Sequence, residues 1–437
     1  MKGRIVFWSI VSALAGFLFG FDTVVISGAE KTIEALWNLS PQLHGVAMGA
    51  ALYGTTLGAL LGGIPTDRWG RRKTLIAIGG LYFISAVWSG LATGVYAFIL
   101  ARFIGGLGVG ISTIAAPLYI SEIAPPKHRG FLTGLFQFNI VFGIIIAFLS
   151  NYLLQGIGEN AWRWMLGAEA LPALVYWALC FIIPESPRWL ILKGYRAQGA
   201  AVLRRVSEDL SETQFVELMA EIEASSPHGT AGWRSLFAKA VRGPVLLAFT
   251  IAAFNQLSGV NAILYFAPRI FELTGLGAKA AMFQSVGIGV TNLIFTFVGL
   301  ALIDRLGRKT LLYIGSLGYI ASLGLTAYAF ASETYAIVPA CIFFFIASHA
   351  VGQGSVIWVF IAEIFPNATR AAGQSVGCST HWIFAAAITS FFPLAVRHFE
   401  PVYIFGFFCA MMVLQLLWVF LFVPETKGQS LEHMKLV

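Results

Sequence analysis

The chain has 437 residues, of which 58% are hydrophobic and 11% charged, with a formal net charge of +7 and a mean hydropathy of +0.78. A soluble domain carries about a quarter charged residues, so roughly half the expected charge is missing and an ordinary soluble globule is excluded. The surplus of positive charge follows the loops of a membrane protein, as described below, and not the pattern of a nucleic-acid binder.

Met1-Lys2-Gly3-Arg4 opens the chain and the first apolar run follows at 5–29. No small-residue cleavage site stands out and Asp22 interrupts the run, so an uncleaved first helix is expected. Further runs occupy 43–65, 74–92, 95–120, 131–154 and 164–183, then 244–271, 279–303, 310–331, 336–362, 374–397 and 401–423. Crossing a bilayer core as a helix takes about 20 residues, whereas barrel strands are shorter and alternate with a period of two. Twelve helical spans are predicted. The second run carries Gly54, Gly58 and Gly62 and the fourth Gly106 and Gly110, small residues one turn apart that let helices approach closely. Between runs six and seven, 185–242 is polar. There Ser211-Glu212-Thr213-Gln214 reads as a capping box, and Phe215, Leu218, Met219 and Ile222 follow at helical spacing.

Of the 28 Lys and Arg, 22 fall in the termini and in loops after even-numbered runs, five in the opposite loops, and Arg102 within a run. By the positive-inside rule both termini face the cytoplasm. The chain also repeats. Asp67-Arg68-Trp69-Gly70-Arg71 returns as Asp304-Arg305-Leu306-Gly307-Arg308. Glu122-Ile123-Ala124-Pro125 with Arg129 returns as Glu363-Ile364-Phe365-Pro366 with Arg370, and Pro184-Glu185-Ser186 as Pro424-Glu425-Thr426. The offsets are 237, 241 and 240 residues, which predicts two parallel six-helix halves: 1–184 and 243–423, joined by a cytoplasmic helical linker at 185–242 and followed by a tail at 424–437. Cys180, Cys341, Cys378 and Cys409 lie inside apolar runs with no metal or disulfide spacing and are expected to be packing residues.

Asp22 and Arg102 are ionisable residues within spans. Each costs about 2.5–3.5 kcal/mol on insertion scales and persists where it faces the bundle interior and finds a partner. From the residues two readings stand: a static ion pair, or a carboxylate whose proton affinity changes as the partner comes and goes. Gln137, Asn139, Asn255, Gln256, Asn261 and Asn292 place amides in and around spans five, seven and eight. An amide donates and accepts together, which suits a sugar hydroxyl, although lone amides in membranes commonly bond neighbouring helices.

The chain resembles the sugar porter branch of the major facilitator superfamily from about residue 5 to 430. The likeness rests on Gly20-Phe21-Asp22-Thr23, the two Asp-Arg-x-Gly-Arg loops, Pro184-Glu185-Ser186-Pro187-Arg188-Trp189-Leu190, Gln256-Leu257-Ser258-Gly259-Val260-Asn261 and Pro424-Glu425-Thr426-Lys427-Gly428. The resemblance implies an all-α membrane protein of the major facilitator fold, in the plasma or inner membrane, that moves a monosaccharide by alternating access. It implies proton coupling at Asp22 with Arg102 as its partner, and sugar contacts at Gln137, Asn255, Gln256, Asn261 and Asn292. Trp358 matches the sugar-stacking Trp, with Trp382, Phe19, Tyr265 and Phe266 as neighbours. Asp67, Arg71, Glu122, Arg129, Glu185, Asp304, Arg308, Glu363, Arg370 and Glu425 match a cytoplasmic gate of ion pairs.

The chain departs from the family in three places. Asn255 stands where a Gln is usual, Ser355 replaces a Pro after Gly354, and His381 stands where a xylose-carrying member has Gln, so the identity of the sugar is left open. His349 is expected to be a satisfied core residue. The expected partners are a sugar, protons and the lipid bilayer, with no catalytic residue, metal, cofactor or nucleic acid, and the unit of function is expected to be the monomer. An ATP-driven pump or enzyme would need a P-loop, which Lys309-Thr310 does not complete. A non-transporting sugar sensor would be expected to carry signalling extensions, and a passive facilitator on the same fold is the closest alternative.

Overall fold

The computed structural model describes residues 3–125, 128–207, 211–224, 236, 241–365 and 369–427. Parts of the expected linker and tail, with Pro366 and Gly428 of the motifs, lie outside the described residues. Among those described every regular element is helical: α1 Gly3–Val25, α2 Glu30–Leu36, α3 Pro41–Leu61, α4 Gly63–Arg68, α5 Arg71–Leu91, α6 Val95–Ile123, α7 Arg129–Leu154, α8 Ala161–Gly167, α9 Ala170–Cys180, α10 Pro187–Leu192, α11 Arg196–Val206, α12 Glu212–Ala224, α13 Arg242–Leu257, α14 Val260–Tyr265, α15 Ala267–Glu272, α16 Ala278–Leu306, α17 Arg308–Ala331, α18 Val338–Val351, α19 Gln353–Glu363, α20 Arg370–His398 and α21 Pro401–Phe422.

Ten helices among the described residues are long and apolar enough to cross a membrane. The remaining two apolar runs are built from α3 with α4 and from α8 with α9. At 1.5 Å per residue the 29-residue α6 reaches about 43 Å, more than the roughly 30 Å of a hydrocarbon core. The outward apolar residues, such as Leu171, Phe283, Phe391 and Phe420, are those a helix presents to lipid. Water would penalise so much exposed apolar area, and hydrocarbon does not.

The chain divides into two compact units. The first comprises Met1–Thr23, Tyr53–Ala147 and Arg163–Gly229, and the second Val24–Leu52, Phe148–Trp162 and Thr230–Val437. In the first unit one core runs from Trp8 and Leu18 through Leu75, Tyr82 and Tyr119 to Tyr176 and Ile183. The glycine spacing does what close packing requires: a Cβ on Gly58 would lie 2.5 Å from the Leu107 carbonyl oxygen, and one on Gly110 2.3 Å from that of Thr55. α10–α12 form a satellite core of Ile191, Leu203, Phe215, Met219 and Ile222. The capping box forms as its sequence predicts, with Gln214 N donating to Ser211 Oγ at 3.3 Å and Ser211 N to Gln214 Oε1 at 3.0 Å.

In the second unit the core joins Ala248, Ile251, Leu311, Val356, Phe360 and Val419. Two of its apolar runs are broken where polar groups are needed. Between α13 and α14, Gly259 takes φ +85°, a region that side chains disfavour, and the free backbone N–H of Val260 is met by Ser258 Oγ at 3.3 Å. Between α18 and α19 the chain turns at Gly352, and Ser355 Oγ donates to the Ala350 carbonyl at 2.6 Å, so the hydroxyl answers a carbonyl that the break leaves without its helical donor. All four cysteines are free, and Cys180 and Cys341 are buried.

Candidate transport site

The interior of the first unit is ionic. α1 carries Asp22 and α6 carries Arg102, each 2% exposed. Arg102 Nη1 donates to Asp22 Oδ1 at 2.5 Å and Nη2 to the Asp22 backbone carbonyl at 2.7 Å. The guanidinium thus holds both the carboxylate and the backbone of the same turn. Removing one member of such a pair leaves a buried charge without compensation, at a cost of about 3–5 kcal/mol.

A second acid, Glu169 at the start of α9, is also 2% exposed. It lies in the field of both Asp22 and Arg102, and its Oε1 has no hydrogen-bond partner among the described residues. Tyr82, 3.5 Å from Ser112 Oγ, borders the same acids. Two carboxylates therefore compete for one guanidinium. Sequence reasoning passed over Glu169, although the rule that singles out Asp22, an acid inside an apolar run, also selects it. Phe19 and Gln137 in this unit are half-buried on α1 and α7, and Asn139 Nδ2 donates to the Leu135 carbonyl at 2.8 Å, a bond within its own helix.

The interior of the second unit is neutral and amide-rich. The break at Gly259 brings Asn255, Gln256 and Asn261 together although five residues separate the last two. Gln256 Nε2 donates to Asn255 Oδ1 at 2.9 Å, and Asn261 Nδ2 to Gln256 Oε1 at 2.7 Å. On α20, His381 lies 3.2 Å from Gln256 Nε2 through its own Nε2. His381 also packs against Trp358 of α19 at 5.0 Å between centroids and edge-on to Trp382 at 4.8 Å. Trp358 is 39% exposed, so the indole presents an open apolar face beside a chain of donors and acceptors. Tyr265 is buried on α14. Asn292 sits apart on α16, its Oδ1 receiving Thr296 Oγ1 at 3.4 Å. His349 is half-buried on α18, its Nδ1 2.5 Å from the Tyr319 hydroxyl.

The repeated charges form the same knot in each unit. Arg71 donates through Nε and Nη2 to the two oxygens of Glu122 at 2.9 Å each, and through Nη1 to Asp67 at 3.1 Å. Arg308 meets Glu363 at 3.0 and 2.8 Å and Asp304 at 3.1 Å. Gly70 (φ +96°) and Gly307 (φ +90°) turn the chain into α5 and α17. The exposed amides at those helix starts are capped from afar: Glu185 receives the N–H of Arg71 and Arg72, and Glu425 those of Arg308 and Lys309. Carboxylates suit helix N-termini, where unpaired N–H groups and the dipole concentrate positive charge. Arg129 and Arg370 stand apart from these knots. Each begins a helix with its Nε unpartnered among the described residues.

The family model described as "Sugar (and other) transporter" matches residues 8–437. The chain is 34% identical over 470 residues to a D-xylose-proton symporter of Escherichia coli, covering 98% of this chain and 94% of the relative. It is 35% identical over 442 residues to an arabinose-proton symporter of Bacillus subtilis, covering 99% and 95%. Its fold matches a structure of the Escherichia coli xylose transporter in a partially occluded inward-open conformation, with a TM-score of 0.87, 30% identity, and 98% and 100% of the two chains covered. With a whole-length match of this kind above an ion-paired interior and an amide-lined one, the chain belongs to the sugar porter family of the major facilitator superfamily.

Proposed function

We propose that this protein is a proton-coupled monosaccharide symporter, with Asp22, Glu169 and Arg102 handling the proton and the Gln256 cluster reading the sugar. The observation that carries the proposal is the buried Asp22–Arg102 pair with a second acid beside it. Protonating Asp22 removes the charge that holds the guanidinium, and Glu169 offers the guanidinium an alternative partner. The pair can therefore change state without stranding a buried cation. The name of the xylose and arabinose relatives, both proton symporters, supports the same reading.

In the second unit Asn255, Gln256, Asn261 and His381 supply hydroxyl partners, and Trp358 supplies a flat face for the apolar side of a sugar ring. Gln137, Asn292, Trp382, Phe19 and Tyr265 complete the proposed sugar set. The knots of Asp67, Arg71, Glu122 and Glu185 and of Asp304, Arg308, Glu363 and Glu425, with Arg129 and Arg370, form the proposed cytoplasmic gate. Twelve spans with both termini in the cytoplasm, halves at 1–184 and 243–423, a plasma-membrane location and function as a monomer belong to the same proposal. The purified protein in liposomes tests it, using a panel of labelled pentoses and hexoses with and without a pH gradient. Accumulation driven by the gradient is expected. Equal uptake with and without the gradient would make the protein a passive facilitator, and no flux of any monosaccharide would end the sugar reading.

A further inference from the structure

The second unit also holds a polar cluster made of residues outside those proposed above for the sugar and the proton. α2 is a two-turn helix with Glu30 and Glu34 one turn apart on one face. His44 lies on the first turns of α3. It is 0% exposed and Glu30 is 1% exposed. A Cβ on neighbouring Gly45 would lie 1.8 Å from the Ser390 carbonyl oxygen, so α3 presses against α20 there, and Phe266 meets the imidazole edge-on at 6.2 Å.

Arg269 of α15 donates through Nε to Glu30 Oε1 at 2.8 Å and through Nη2 to Glu34 Oε2. That leaves one oxygen of each carboxylate facing His44: Glu30 Oε2 is 3.3 Å from Nε2, and Glu34 Oε1 is 3.6 Å from Nδ1. Neither contact has hydrogen-bond geometry, and Glu30 Oε2 and both ring nitrogens are without a hydrogen-bond partner among the described residues. One atom from each of the three side chains can be chosen so that all lie within 4.8 Å of one another. The two carboxylates face the Arg269 guanidinium on one side and the buried imidazole on the other. The three side chains thus offer one imidazole nitrogen and two carboxylate oxygens within reach of a single cation.

We propose that Glu30, Glu34 and His44 bind one divalent transition-metal ion of the Zn2+ class. Zinc takes imidazole nitrogen and carboxylate oxygen at about 2.0–2.2 Å, often as three protein ligands with water in the fourth place. Tetrahedral geometry at those lengths separates ligand atoms by about 3.3 Å, which Glu30 Oε2 and His44 Nε2 already satisfy. Glu34, which faces Nδ1 on the other edge of the ring, has to swing toward Nε2, and its half-buried side chain on a short helix can do so. Arg269 serves as the outer partner that aims each carboxylate, a role usual around metal ligands. Arg397 adds a positive field at Glu34, so Glu34 is the weakest of the three ligands.

The test is direct binding of Zn2+ to the full-length protein in detergent by isothermal titration, with Mg2+ as the control ion. The expected result is one Zn2+ per chain, binding at least tenfold weaker in His44→Gln and in Glu30→Gln, and no matching heat with Mg2+. Size-exclusion profiles and melting temperatures of the variants show that they are folded. Zn2+ binding unchanged in both variants, no Zn2+ binding by the native chain, or equal binding of Mg2+ each overturns the proposal. The readout needs no sugar flux, so its failure is distinct from failure of the transporter reading.

Discussion

The two units share a scaffold of charge knots and differ in what they hold inside. At the scaffold the match extends to single bonds: arginine to glutamate in two prongs, arginine to an aspartate one turn back, and a glycine turn capped by a distant glutamate. Inside, one unit holds Asp22, Glu169 and Arg102, and the other a run of amides with an imidazole and two indoles. The scaffold is under the same physical demand twice, because each helix start exposes N–H groups that need acceptors. The interiors are under different demands. A group that carries a proton has to be ionisable and partnered, whereas a group that reads a hydroxyl has to donate and accept without charge. The repeat supplies the frame, and on the proposed function the chemistry divides between its copies.

Four substitutions test that division, beginning with the largest effect. Asp22→Asn removes the charge and keeps the shape, so gradient-driven accumulation of sugar in proteoliposomes is expected to fall to the equilibrium level while exchange of labelled for unlabelled sugar persists. Accumulation by this variant would remove the ionic unit from the coupling. Gln256→Ala breaks the bonds to Asn255 and Asn261 and any bond to a hydroxyl. At about 0.5–1.5 kcal/mol for each net hydrogen bond, KM is expected to rise about tenfold with the pH dependence of uptake unchanged. A shift in the pH profile would place part of the proton chemistry in the neutral unit. Smaller again is the scaffold effect. Lys cannot make the two-pronged bond of Arg, so Arg71→Lys and Arg308→Lys are each expected to lower the melting temperature by similar amounts. A large effect at only one of them would break the equivalence of the two knots.

Much of this was legible from the chain, and the misses share one cause. Spans follow from runs of apolar residues, and the knots follow from charges repeated at a fixed offset, because both signals are local. Asp22 with Arg102 is also legible, since two isolated charges in lipid-facing segments need each other. Glu169 meets the same rule as Asp22 but sits beside Gly167 and Ala168 with no motif around it, and its neighbours Asp22 and Arg102 lie far along the chain. The Glu30–His44–Arg269 cluster escaped for the same reason: residues near the ends of three separate apolar runs become one connected group once α2, α3 and α15 pack. The amides at 255, 256 and 261 are legible as a set, but their hydrogen-bonded chain depends on the break at Gly259, which separates two helices inside one apolar run.

The finest test of the scaffold's symmetry uses its two capping glutamates, which differ in proton affinity. Burial pushes the carboxyl of Glu185 up from the ordinary 4.5, and the N–H groups of Arg72, Ser186 and Arg71 only partly offset that push. Burial also pushes Glu425 up, but less, and the N–H groups of Lys427, Arg308, Lys309 and Thr426 outweigh it and hold this carboxyl below 4.5. The signs follow from linkage. Ionised Glu425 contributes stability that is present above pH 4.5 and is lost as pH falls through its lower folded value. Ionised Glu185 costs the fold stability at neutral pH, and that cost is relieved as pH falls through its raised value toward 4.5. Relative to the native chain, Glu425→Gln should therefore melt lower at neutral pH and converge with it only below about pH 4.5. Glu185→Gln should be at its best relative to the native chain at neutral pH and lose ground between neutrality and pH 4.5, as the native carboxyl takes up its own proton. Melting curves of both variants in detergent across pH 7.5 to 4 decide the matter. Parallel curves for the two would mean that the copies cap their helices with equal energy, and that the difference in burial between them carries no weight.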